Sequence, residues 1–528
     1  MVFNTYITTV WLYCLLYSSI AIAQSVIVVG ETGGDQTTIV LPQSATWVVG
    51  GTFQQSLQGT ISQGGIDIWL QQYDTTAQLL QSYTMGGQRD DILVAAANDA
   101  TSNDFYTTGL FRDSFKLGND TVLYQAIEAI FLTKHEANTR LRWAKKIAAT
   151  NLLTVEDLQT DQQGNIYLTG SFVDTLAVDG VQLVADTGTA VFVLKLDNDG
   201  TAIWGARSAY ATDATGVSLA IDERQKVYLV GEFSSYLSIL GDTLLSGWVQ
   251  PDLFLAALSA NGSWLWQRQY TGTYADEAAE LLYYQDHLYL GGSFIGLLDL
   301  SSGVTLRTDT RSYDGFVVRL DTFGQVVWAE QTHATGDCEV AALAIRDSQL
   351  VVVGSFEGDW QWQQLHESAT SKRAAFQLAM NLDGDQSTVQ VWDGKGNDLA
   401  LAIGVNSQQQ VVAGGSFQQD IAFGNAVRNA SGFSDGFVYF QSPIVLPVAV
   451  GLRRLEELDM LVFPNPTSDW LTLQSETAVL TWQLYTNNGS QILAGQTQLI
   501  NLQHLPRGNY WLRVQTATQE GVFPIIKQ

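Results

Sequence analysis

Positive charge is what this chain has least of: 26 Lys+Arg stand against 53 Asp+Glu, and charged residues of both signs make up only 15%. A formal net charge of −27 repels nucleic-acid phosphates and anionic lipid headgroups, which sets both aside as partners and suits solubility outside the cell. Cysteine is almost missing. Cys14 lies in an N-terminal segment expected to be removed, which leaves Cys338 alone and the mature chain without an internal disulfide. The five histidines, His135, His287, His333, His366 and His504, stand at no metal-ligand spacing with one another, with cysteine or with a carboxylate. There is no P-loop, nucleophile elbow or dinucleotide fingerprint, so neither a cofactor nor a metal is expected. DNDG and NLDGD resemble pieces of calcium loops, but Lys195 and Ala379 occupy the places of the upstream carboxylates, and both segments read as hairpin turns.

Helical periodicity is scarce as well. Tyr124 to Ala137 is the best helical stretch, and the repeat described next makes part of it a strand. The N-terminal apolar run, Trp11 to Ala23, is too short to span a bilayer and closes on the small-x-small sequence Ala21-Ile22-Ala23. Residues 1–23 therefore read as a secretory signal cleaved between Ala23 and Gln24, although no Lys or Arg precedes the run, and no transmembrane segment is expected.

What the chain does have is Gly, Thr, Ser, Gln and aromatic residues, the mixture of many short strands joined by tight turns. One phrase returns. GNIYLTGSF ends at Phe172, and close variants end at Phe53, Phe111, Phe233, Phe294, Phe356 and Phe417, at spacings of 58, 61, 61, 61, 62 and 61 residues. Seven copies at this period are a repeat architecture. Each copy has an apolar stretch, a polar turn, the strand ending Gly-x-Phe, an apolar residue four positions on, a third strand, and a strand carrying Trp143, Trp204, Trp266 or Trp328 in four of the copies. The Trp series, like Trp360 and Trp362, recurs in register and is expected in the core. Four strands per repeat predict a blade, and seven copies predict a seven-bladed β-propeller over residues 24–440. The last copy lacks its Trp strand, while SVIVVGETGGD at the mature N-terminus aligns with VVWAEQTHATGD of the fifth-to-sixth junction. The N-terminal strand is thus expected to close the last blade and remove an open edge. The repeat (D-x-x-G-N-[IV]-Y-L-x-G-S-F, then D-x-F-[VL]-x-[KR]-L-D-x-x-G and Trp) resembles bacterial β-propeller repeats of secreted and surface proteins, which implies the fold and leaves the activity open.

Residues 441–457 read as a linker. Residues 458–528 form a run of alternating strands with Asn-Gly and Arg-Gly turns, which predicts a small Ig-like β-sandwich. Pro464, Asn465 and Pro466, Gly489, Gly508 with Tyr510, and Lys527 beside the end carry a resemblance to the type A C-terminal sorting domain of the type IX secretion system of Bacteroidetes. That resemblance implies recognition by the secretion machinery and delivery to the outer cell surface or the medium.

An acidic residue precedes the first strand of six copies: Asp35, Asp90 or Asp91, Asp213, Asp276, Asp337 and Asp398. In a propeller this turn leads into the innermost strand, so Asp35, Asp213, Asp276, Asp337 and Asp398 are candidates for a ring at one channel mouth, against the plainer role of accepting backbone N–H bonds in turns. Function should lie where the copies disagree, as in RTDTRSYD (Arg307 to Asp314) and HESATSKR (His366 to Arg373), expected as polar loops able to contact an anionic glycan or polypeptide. The expectation is an exported, monomeric binding scaffold without catalysis. The alternative is a polysaccharide lyase or glycoside hydrolase whose carboxylates converge at the channel mouth.

Overall fold

A computed structural model describes residues 25–117, 121–247, 250–301, 303–308, 311–441, 460–463, 467, 469–475, 479–486, 491–516 and 520–527. The expected signal segment, with Ala23 and Gln24, and the expected linker beyond Gln441 lie outside the described residues. The described residues are all-β, with antiparallel sheets and no helix. The chain divides into two compact units, Met1–Pro443 and Ile444–Gln528.

The first unit repeats one plan. Strands Gln36–Pro42, Thr46–Leu57, Thr60–Asp74 and Leu79–Gly87 pair in that order as an antiparallel quartet. Five more quartets follow in sequence. The seventh consists of Asp398–Val405, Val411–Phe417, Asp435–Gln441 and, from the other end of the chain, Ser25–Val29. Ser25 stands opposite Phe440 and Val29 opposite Gly436, so the edge that Asp435–Gln441 would expose is taken up by the N-terminal strand. The first strand of each quartet lies against the first strands before and after it, and Gln36–Pro42 lies against Asp398–Val405, which returns the series to its start.

The repeated phrase explains how neighbouring sheets pack. All seven of its phenylalanines are buried, each contributing roughly 1.5–3 kcal/mol of hydrophobic burial. The glycine two residues earlier permits close approach of adjacent strands within each quartet: a Cβ on Gly170 would fall 2.3 Å from the Thr154 carbonyl oxygen, and one on Gly292 would fall 2.7 Å from the Phe316 ring of its paired strand. The stretch with the best helical pattern is strand Thr121–His135, because its apolar residues face two sheets at once and strand pairing overrides local propensity.

Trp143, Trp204, Trp266 and Trp328 are half-buried, which corrects their placement in the core. Three of them cover a turn of the next quartet, where a Cβ on Gly200, Gly262 or Gly384 would meet the indole of Trp143, Trp204 or Trp328 at 2.7–3.0 Å. Trp204 and Trp328 donate their indole N–H to the Ala260 and Leu382 carbonyls, at 3.0 and 2.9 Å. Lys134, Lys195, Lys226 and Arg319 stand over Tyr106, Tyr167, Tyr228 and Tyr289, a cation–π contact repeated from copy to copy. Trp360 and Trp362 are fully buried. The HESATSKR segment is part of strand Leu365–Asn381 and not a loop; hydrogen-bonded pairing with Gln349–Trp362 holds it extended.

In the second unit, Met460–Phe463, Trp470–Ser475 and Leu499–Asn501 form one sheet, and Val479–Thr486, Gln491–Gly495, Gly508–Thr516 and Glu520–Lys527 form another. Leu471, Leu473, Leu484, Leu512, Val514 and Ile525 share one core with Trp482 at its side.

Candidate functional site

Strand register decides where the acidic residues of the repeat go. The first-strand residue opposite each Gly-x-Phe aromatic is Asp276 for Phe294, Asp398 for Phe417, Cys338 for Phe356, Ala214 for Phe233 and Leu153 for Phe172. Asp213 and Asp337 therefore fall one residue short, and a one-residue step reverses the face a side chain takes. Asp213 is exposed. Asp337 is half-buried, accepts the Tyr313 N–H at 3.0 Å and lies 3.8 Å from Arg373. Arg373 also meets Glu339 at 3.1 Å and Glu357 at 3.3 Å, so three carboxylates surround its guanidinium.

Asp35, Asp91, Asp276 and Asp398 are buried, each beside an aspartate of the preceding quartet: Asp435, Asp67, Asp252 and Asp393. The third-strand residue opposite the same Phe is Asp67, Asp252, Asp314 or Asp435 in four copies. Three seams thereby bring two aspartates together: Asp67 with Asp91, Asp252 with Asp276, and Asp435 with Asp35, each pair close enough for repulsion to act. Glycine makes the space. A Cβ on Gly30 would lie 2.7 Å from the Asp435 carboxyl carbon and 2.8 Å from Asp35 Oδ2, and one on Gly272 would lie 2.1 Å from Asp276 Oδ2. In the fifth seam Cys338 replaces the second carboxyl and faces Asp314.

Backbone donors meet part of this charge. Asp35 accepts N–H bonds from Glu31 and Gln54, Asp91 from Gly87, and Asp252 from Gly272. Both oxygens of Asp276 lack a hydrogen-bond partner, and its side chain is 0% exposed. Burial first, and then the neighbouring carboxylates, pushes Asp276 up to about 9. Burial likewise raises Asp91 to about 8 and Asp35 to about 7, against the pull of their backbone donors. Burial and then Asp393 raise Asp398 to about 8. Two carboxylates held together away from water cannot both ionise cheaply, which adds to the effect of burial on Asp35, Asp91 and Asp276.

First strands of all seven quartets line a cavity of about 210 Å³. Ala95, Ala342 and Ala402 are small at the position where three neighbouring copies carry Asp157, Ser218 and Glu280, with Glu156 beside them. Asp157 accepts the Leu219 N–H at 2.7 Å and the Ser218 hydroxyl at 3.1 Å; Ser218 accepts the Leu281 N–H and Glu280 the Leu343 N–H. These bonds tie four successive first strands together. Burial raises Asp157 and pushes Glu280 up to about 8. Glu232 stands where four of the other copies have serine, accepts the Ala278 N–H, and is raised by burial to about 7. No ion pair among the described residues involves Glu156, Asp157, Glu232 or Glu280, and no cluster of three or more His, Cys, Asp or Glu among them is arranged to hold a metal ion. The sequence pattern passed over this acidic arc. Its one signal was the departure from alanine at equivalent positions, which becomes visible only once the inward face of the strand is known.

Two larger cavities open at the same seam position. One, of about 620 Å³, is bordered by Asp314, His333, Asp359, Gln361, His366 and Glu367. The other, of about 400 Å³, lies between the first and second quartets. In each, a residue after the fourth strand's core pairs with the residue five beyond the repeat Phe: His333 with Gln361, and Gly86 with Lys116.

In the second unit Pro464, Asn465, Pro466 and Gly489 lie outside the described residues. Gly508 opens the strand Gly508–Thr516; Tyr510 is buried there and donates its hydroxyl to the Pro506 carbonyl at 2.8 Å. Lys527 is buried in the last strand, which bridges to Thr467. No helix among the described residues is long and apolar enough to cross a membrane.

Residues 461–528 match the family model of the secretion system C-terminal sorting domain. No curated protein matches the chain by sequence. Among solved structures, the chain is similar to phage phi92 endosialidase, at 10% identity and a TM-score of 0.37, over 96% of this chain and 88% of that one. It is also similar to the extracellular domain of a putative hybrid two component system from B. thetaiotaomicron, at 8% identity and a TM-score of 0.14, over 94% of this chain and 98% of that one. The C-terminal sorting domain implies interaction with the type IX secretion machinery and export to the cell surface or extracellular space.

Proposed function

We propose that the first unit is a seven-bladed β-propeller closed by its N-terminal strand, that an Ig-like sorting sandwich follows it, and that the exported protein is a binding module without catalysis. The observation that carries the reading is where the cavities lie. The two large ones occupy equivalent rim positions in seams where the copies differ in sequence, and both are lined mostly by neutral and polar side chains. Propeller rims are where a repeated scaffold presents varied side chains, and a few convergent polar groups in a concave site fix a ligand's orientation.

A carbohydrate-cleaving enzyme draws less support. Asp35, Asp276 and Asp398 sit in separate seams and Asp213 is exposed, so the five aspartates do not converge on a bond to be cleaved. Asp157 and Glu280 are engaged by backbone N–H groups of neighbouring strands. The test is a screen of the mature chain against immobilised glycans and polypeptides, repeated with His366→Ala and Lys116→Ala. The reading expects saturable binding weakened by one of the substitutions; turnover of a polysaccharide by wild type would replace it with the enzyme reading.

A further inference from the structure

We propose that the cavity between the first and second quartets binds neutral oligosaccharides, an assignment that rests on the reading of the protein as a binding module and names its ligand. Thr60, Gln63, Asp67, Ser82, Thr84 and Lys116 give its wall hydroxyl, amide, carboxyl and ammonium groups at about the size of a short saccharide, some 400 Å³. Ser82, Thr84 and Gly86 lie two residues apart on one face of the strand Leu79–Gly87, so the two hydroxyls stand in a row on the cavity side. Gly86, next on that face, packs directly on the Asp67 carboxyl, where a Cβ would fall 2.2 Å from Asp67 Oδ1. The hydroxyl groups of a sugar act as donor and acceptor at once and can pair with the hydroxyl, amide and ammonium groups of this wall.

The rim supplies the apolar half of the site. Ile61, which borders the cavity, is 76% exposed. Val122 pairs with Lys116 and Tyr124 with Ser114. Cross-strand partners, and residues two apart, share a face. Tyr124 and Val122 therefore lie on the hairpin face that carries Lys116, and they are 62% and 58% exposed. An exposed tyrosine ring and aliphatic side chains beside a polar pocket match the C–H face and hydroxyl edge of a pyranose. Charge selects among sugars. With a net charge of −27 and Asp67 in the wall, uronates and sulfated glycans are repelled, and the single Lys116 serves as a hydrogen-bond donor.

The test is affinity electrophoresis of the whole mature chain in native gels containing mannan, xylan, starch or mixed-linkage β-glucan, with pectin and dextran sulfate as charged counterparts. The proposal expects retardation by at least one neutral polysaccharide, weakened by about tenfold or more in Tyr124→Ala and Lys116→Ala at unchanged melting temperature. Tyr274→Ala, an exposed aromatic outside both cavities, should bind as wild type. Retardation by none of the neutral polysaccharides, retardation by the charged ones alone, or wild-type binding by Tyr124→Ala would overturn it. Binding lost in His366→Ala but kept in Tyr124→Ala would place the ligand in the other rim cavity, overturning this assignment while leaving the binding-module reading in place.

Discussion

At the scale of single residues, the seam carboxyls make the clearest demand on experiment. Asp276 ionises above 3.8 in an unfolded chain, whereas burial holds it neutral in the fold up to about 9. Its contribution to stability is complete below the unfolded value and is lost as pH rises toward and through the folded one. Asp35, Asp91 and Asp398 have the same sign, with folded values of about 7, 8 and 8. Asp99 opposes them: although burial works against it, Lys134 and Thr101 hold it down at about 2, so its contribution is lost only as pH falls through that value. Melting temperature should therefore be higher near pH 5.5 than near pH 8.5. Asp276→Asn, whose amide can donate to Asp252, should raise stability at pH 8.5 by about 1–3 kcal/mol and flatten the alkaline decline; equal destabilisation at both pH values in thermal melts would contradict the seam account. Phe172→Ala should cost roughly 3–5 kcal/mol in chemical unfolding, since a fully buried ring is removed from between two sheets.

At the scale of elements, the repeated phrase was legible because its Phe and Gly obey a constraint every copy shares. Its strands, the Asp-x-x-Gly turns and the pairing of the N-terminal strand follow from spacing alone. The acidic positions were not legible to one residue. A β-bulge interrupts the first strand, between Thr37 and Ile39 and at five equivalent places, and local sequence does not say which residue the bulge displaces. Hence Asp213 and Asp337 looked equivalent to Asp276, while Ala214 and Cys338 hold the seam. The Trp series misled for a related reason: regular recurrence marks a shared contact, here a turn of the adjacent quartet, and not depth in the core. Closure is an element-scale property with its own prediction. Deleting Ser25–Val29 removes the partner of Asp435–Gln441 and exposes an edge strand, so the deletion should lower the melting temperature by many degrees and promote aggregation, as read by calorimetry and light scattering. A melt unchanged from that of the mature chain would remove the closure argument.

At the scale of the whole molecule, two units divide the labour. The first spreads its core over the seams of seven quartets and, among the described residues, carries no disulfide, since Cys338 is buried and unpaired. The second unit carries the match to the sorting domain, and its address was legible because short motifs at turns and strand ends had to be kept, whereas the cavity proposed to take a ligand is lined by side chains scattered over Thr60 to Lys116 that only the fold brings together. The central claim is that the second unit delivers the first to the outside of the cell. Its most direct test compares the full chain with a chain ending at Gln441, both expressed in a bacterium with a type IX system, by protease accessibility on intact cells and by fractionation. The account predicts that the full chain is accessible at the surface or in the medium, while the shortened chain accumulates folded in the periplasm; equal surface accessibility of the two would contradict it.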